Sequence, residues 1–166
     1  MRRFLPTTLV PLALILGCSQ LPTDNAPASV APNAGAKGSE NGTACVLNTQ
    51  LRPENETPPT TSEAKGHAQI KVRNDGTLEY KVFILNKAGE TFRAGHIHRA
   101  PEGVPGPVIV PLFTGPATNE RHIRQRGEVP VSAAFAEALC EHPEQYYVNY
   151  HTTAFPGGAI RGQLGK

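Results

Sequence analysis

The chain has no tryptophan and only one methionine among its 166 residues. Charged residues amount to 18%, and no excess of one sign survives beyond the first residues. The two surplus positive charges equal Arg2 and Arg3, and residues 1–17 hold no acid. The remainder is balanced, which excludes the basic footprint that a nucleic-acid partner requires. No apolar run is long enough to span a bilayer as a helix, and there is no internal repeat. Glycine and proline, by contrast, number 16 each. Such punctuation favours many short strands and turns over long helices, and the length is that of one domain.

The first residues read as an export signal. Arg2 and Arg3 form a positive start, and Phe4 to Leu16 is apolar apart from two threonines and two prolines. That is the length of a signal-peptide core. Ile15-Leu16-Gly17-Cys18 then resembles the lipobox of bacterial lipoproteins, with Leu16 larger than the residue usual there. The resemblance implies a signal peptide over residues 1–17 and a lipid on Cys18. The partner it implies is a membrane, engaged through the lipid anchor. Ser19 after the cysteine implies the outer membrane, facing the periplasm, if the cell is Gram-negative. The alternative is an ordinary cleaved signal with Cys18 incidental. Residues 18–41 continue in Pro, Ala, Asn, Gly and Ser, too apolar-poor to offset the entropy of ordering. They are expected to form a flexible linker that holds a folded domain, residues 42–166, away from the membrane.

Within that domain the hydrophobic alternation predicts strands at Thr43–Leu51, Lys65–Arg73, Leu78–Leu85, Thr91–His98, Val108–Phe113, 121–131, Gln145–Thr152 and Ala159–Leu164. In the second, Ala68, Ile70 and Val72 share one face. Asn74-Asp75-Gly76 is a hairpin signal, and Phe155-Pro156-Gly157-Gly158 a closing turn. Strands at this spacing predict an all-β fold, an antiparallel Greek-key sandwich or barrel. One short helix is expected at Ser132–Cys140, capped by Ser132. With Cys18 lipidated, Cys45 and Cys140 remain. In an oxidising compartment such a pair reads as a disulfide, with free thiols or thiolate ligands as alternatives.

Three segments can carry chemistry. Gly95-His96-Ile97-His98 puts two imidazoles at i and i+2 of a strand, on one face and roughly 6.6 Å apart. Two rings at that spacing can converge on one metal through bonds of about 2 Å. His151 ends another strand on the face of Tyr147 and Asn149. Arg161 and Gln163 share a face of the last strand. Asn149 and Thr152 read as groups that hydrogen-bond and orient ligands, and Tyr146, Tyr147 and Tyr150 as packing residues. His67 and His142 read as solvated, as does His122 among Arg121, Arg124 and Arg126. Equally, the cluster reads as structural, with His96 and His151 bonding backbone carbonyls and Arg161 bridging loops.

Four stretches, Leu51–Gly66, His96–Leu112, Tyr147–Thr152 and Pro156–Leu164, together resemble the CHRD domain, a module named from chordin and found in bacterial exported proteins. Ala159 departs from it, standing where an acid often precedes the Ile-Arg-Gly. The family has no firmly assigned chemistry. More distantly, Gly-His-Ile-His and the late His and Arg are similar to the copper segment of Cu,Zn superoxide dismutases. That resemblance implies copper on His96, His98 and His151, and an anion-guiding role for Arg161. The zinc-binding loop has no counterpart, so a zinc-supported dismutase is not implied; superoxide-handling activity is the enzymatic alternative, and no catalytic residue is assigned. Two functions therefore stand side by side. One is an exported lipoprotein binding a single copper ion. The other is a non-catalytic binding or structural module meeting an unknown partner in the cell envelope.

Overall fold

The computed structural model describes residues 42–166; the expected signal peptide over residues 1–17, Cys18 and the expected linker lie outside the described residues. Eight strands form, β1 (Thr43–Leu51), β2 (Lys65–Arg73), β3 (Thr77–Leu85), β4 (Phe92–Arg99), β5 (Val108–Phe113), β6 (His122–Pro130), β7 (Tyr146–Thr152) and β8 (Ile160–Gln163), with one helix, α1 (Ala133–Glu141). Each lies within one residue of its expected bounds, and β1, β2 and β5 agree at both ends. Alternation is the reason. In β2, Ala68, Ile70 and Val72 are fully buried, and in β3 so are Leu78 and Ile84. Between them Gly76 adopts φ +80°, and Thr77 N–H donates to the Asp75 carboxylate at 2.9 Å, closing the hairpin.

The strands make two antiparallel four-stranded sheets, ordered β1-β2-β3-β6 and β5-β4-β7-β8. The chain leaves β3 for the second sheet and returns to lay β6 beside β3. It then crosses again to lay β7 beside β4, which gives the Greek-key connections of an all-β sandwich. Leu47, Ile70, Leu78, Ile84, Ile97, Val148, Tyr150 and Ile160 are fully buried in the shared core. The β1–β2 connection crosses from one sheet to the other. Arg52 and Arg161 exchange backbone hydrogen bonds of 2.9 and 3.1 Å, and Thr60 Oγ1 donates to the Ala159 carbonyl at 2.8 Å.

A nine-residue helix is marginal by itself, so α1 depends on what holds it down. Ser132 stands just outside it as the cap, its Oγ accepting from Phe135 N–H at 3.2 Å. Leu139 is fully buried, and Phe135 meets Tyr146 edge-on at 5.6 Å. A Cys45–Cys140 disulfide ties the helix to β1 across 95 residues of sequence. A loop of that size removes much entropy from the unfolded chain. The double variant Cys45→Ser, Cys140→Ser is expected to lose roughly 2–5 kcal/mol, read as a lower midpoint in a denaturant titration. Reducing the wild-type protein should give the same loss.

Candidate metal centre

The parity of β4 decides which side the histidines take. Ile97 is fully buried, so His96 and His98 emerge on the outer face of their sheet. On β7, Val148 and Tyr150 fill the core and leave Tyr147, Asn149 and His151 outside. On β8, Ile160 does the same for Arg161 and Gln163. His96 pairs with Asn149, His98 with Tyr147 and Ala94 with His151. His151 is thus diagonal to His96, within cross-strand reach. The β4–β7 ladder shifts register at Phe92/Ala94 and is unbroken from Ala94 to Arg99, whereas the β4–β5 ladder shifts at Gly95/His96 and Ile97/His98 with the extra residue on β5 each time. Irregularities of this kind bend a strand and re-aim its side chains. Gly95 admits close packing beneath: a Cβ there would lie 2.4 Å from the Tyr150 ring.

The three rings meet. Their centroids are 5.6 Å apart for His96 and His98, 5.1 Å for His96 and His151, and 6.0 Å for His98 and His151. One ring nitrogen from each falls within 4.8 Å of the others. The main chain sets which nitrogens face inward. His98 Nδ1 lies 2.9 Å from the Gly106 carbonyl, and His151 Nδ1 lies 3.0 Å from the Pro156 carbonyl. A carbonyl only accepts, so both Nδ1 atoms carry hydrogen and both Nε2 atoms keep a lone pair. His151 Nε2 lies 3.2 Å from His96 Nδ1, which donates to it in the metal-free protein. His98 Nε2 is buried without a hydrogen-bond partner.

Two nitrogens bound to one ion at about 2.0–2.1 Å and a tetrahedral angle stand about 3.3 Å apart, so the His96–His151 spacing already suits a shared cation. The third nitrogen, within 4.8 Å of the other two, would have to close to a similar spacing. Burial favours the neutral rings. It is the first cause pushing His96 down to about 4, with His151 and His98 adding repulsion. His98 and His151 are also lowered by burial, against an opposing pull from their carbonyl partners. Three neutral imidazoles near pH 7 form a donor set with no net loss of protons, once the His96 hydrogen moves from Nδ1 to Nε2.

A layered stack supports His98. Its ring lies on Tyr147 at 4.8 Å and 10°, and the Arg161 guanidinium carbon lies 3.4 Å from the centroid of the Tyr147 ring. The Tyr147 hydroxyl accepts from Gly106 N–H at 3.1 Å, so the residue that anchors His98 is itself held. Arg161 is 2% exposed and donates to the carbonyls of Val104 and Pro101, each at 3.0 Å. It therefore fastens the 99–107 connection over the site. Thr152 sits on the core side of β7, where its Oγ1 accepts from Phe155 N–H at 3.1 Å and so supports the turn that carries Pro156. His67, His122 and His142 are not brought to the cluster.

Glu56 is the residue that sequence reasoning did not single out. It is 7% exposed, and its Oε1 accepts from Asn149 Nδ2 at 2.8 Å. Asn149 Oδ1 is buried without a hydrogen-bond partner. Gly158, at φ +142°, makes room for this pair, since a Cβ there would lie 2.4 Å from Asn149 Nδ2. Its position within the stretch matching the CHRD pattern was the available signal. Burial, opposed by the Arg161 charge and a backbone hydrogen bond, pushes the Glu56 carboxyl from 4.5 up to about 7. The folded protein therefore holds a proton that the unfolded chain releases between those values. Its contribution to stability is present below about 4.5 and is lost as the pH rises through about 7. In Glu56→Gln this dependence should vanish. The wild-type stability measured relative to that variant should fall by on the order of 2 kcal/mol across the window, in denaturant titrations at each pH.

The CHRD domain family model matches residues 47–164, which covers all of β2 to β8, α1 and every residue of the site. No curated protein and no solved structure matches the chain significantly. A two-sheet β domain matched over most of its length, with the histidine, tyrosine and arginine segments in place, belongs to the CHRD domain family.

Proposed function

We propose that this CHRD domain is exported, held at the cell envelope by a lipid on Cys18, and binds one copper ion through His96, His98 and His151. The observation that carries the metal reading is the donor set. Two Nδ1 atoms are tied to main-chain carbonyls, and of the Nε2 atoms so freed, that of His151 lies 3.2 Å from His96 Nδ1 and that of His98 is buried without a hydrogen-bond partner. Carbonyl partners that fix tautomer and ring orientation are the usual support of metal-binding histidines. Copper is favoured because imidazole suits it and it is the strongest divalent binder of the first row. Arg161 acts here as a clamp on the covering connection.

Copper added to the purified protein at about 100 times the dissociation constant should stabilise it by about 2.7 kcal/mol, a rise of several degrees in melting temperature. His96→Ala, His98→Ala should show neither tight binding nor the rise. Equal, weak binding by both proteins would overturn the reading. The second reading is a non-catalytic module whose histidines are structural, and the same carbonyl hydrogen bonds favour it. It predicts a melting temperature that neither copper nor a chelator moves. Anchoring has its own test. Wild-type cells fed labelled palmitate should yield labelled protein in the membrane fraction, and Cys18→Ser should be unlabelled; labelling that survives the substitution contradicts the assignment.

A further inference from the structure

The outer face of the other sheet carries a cluster that the metal reading does not use. His67, Phe83 and Arg124 lie on one cross-strand rung of β2, β3 and β6, and Gln69, Lys81 and Arg126 on the next but one, which shares their face. Together they line an open depression of about 620 Å³ that contains no acidic side chain. Phe83 is 38% exposed, with the Arg124 guanidinium 5.4 Å from its centroid and His122 stacked at 6.1 Å. Lys81 stands directly opposite Arg126. Like charges in that relation weaken an antiparallel pair. Neither takes part in an ion pair among the described residues. The acids of this face, Glu79 and Glu128, are opposite one another further along, and Glu79 is engaged by Lys71 and Arg73 at 3.5 and 3.1 Å. On its other side the opposed cation pair is flanked by Glu79 and Glu128, while towards Phe83 it adjoins Arg124 and no acid, so cations and an exposed aromatic ring share the depression as a binding surface would.

We propose that this depression binds an extended acidic polysaccharide, whose carboxylate or phosphate groups meet Lys81, Arg124 and Arg126 while a sugar ring rests on Phe83. The aromatic ring offers an apolar surface for the C–H face of a sugar, and the guanidinium groups offer paired donors to its acid. A concave site fits a polymer strand better than the plane of a membrane, and three cations fall short of the clusters that recognise anionic lipid. A single aromatic ring does not supply the successive platforms on which single-stranded nucleic acid stacks.

The test is calorimetric titration of the purified protein with polygalacturonate at low salt, with uncharged dextran in parallel. Wild type and Lys87→Gln, which removes an exposed cation outside the depression, should bind polygalacturonate and not dextran, more weakly as salt is added. Arg124→Gln, Arg126→Gln should bind at least tenfold more weakly. Lys81→Gln provides a second, single-site variant expected to weaken binding as well. Arg126→Gln alone should melt at or above the wild-type temperature, because it relieves the opposed charges. Absence of wild-type binding, equal affinity in the double variant and Lys87→Gln, or tighter binding to phosphatidylglycerol vesicles or oligo-thymidine than to polygalacturonate would each overturn the proposal.

Discussion

Burial of Ile97 is the constraint on which the candidate centre depends. A strand has a two-residue repeat, so a fully buried residue between two histidines commits both to the same outer face. The neighbouring strand obeys the same parity through Val148 and Tyr150, and that places His151 diagonal to His96. Core packing, which carries no chemistry itself, thus assembles three imidazoles on one surface. Gly95 keeps β4 tight over the Tyr150 ring.

Assembly alone does not make a donor set, because a neutral imidazole has one lone pair and two places to put it. The covering segments make that choice. Gly106, in the connection after β4, and Pro156, in the turn before β8, each take one Nδ1 hydrogen. Both segments are fastened in turn, the first by Arg161 and Tyr147, the second by Thr152. The same contacts serve a purely structural histidine cluster equally well. What separates the two is the buried Nε2 of His98, which the protein itself leaves without a partner.

The strands were legible because their information is local. In β2 the apolar positions alternate without a break, and Asn74-Asp75-Gly76 marks the turn by its own chemistry. The histidine cluster was legible for the same reason, given the parity of two strands. The matching family segments also foretold the chain order of the site. The orienting groups were not legible. Gly106 and Pro156 act through main-chain carbonyls, which any residue could present. Glu56 reaches Asn149 across 93 residues of sequence, through a connection whose path no periodicity encodes. Arg161 was open to two roles, and only the position of the 99–107 connection shows its guanidinium taken up by carbonyls.

The convergence of three imidazoles on one cation is the central claim. Electron paramagnetic resonance of the protein loaded with one equivalent of copper(II) tests it most directly, because nitrogen ligands split the copper signal. The account predicts the splitting pattern of three imidazole nitrogens in the wild type, and of two in His151→Ala. A spectrum of hydrated copper, or one that His96→Ala, His98→Ala and His151→Ala all leave unchanged, would contradict it.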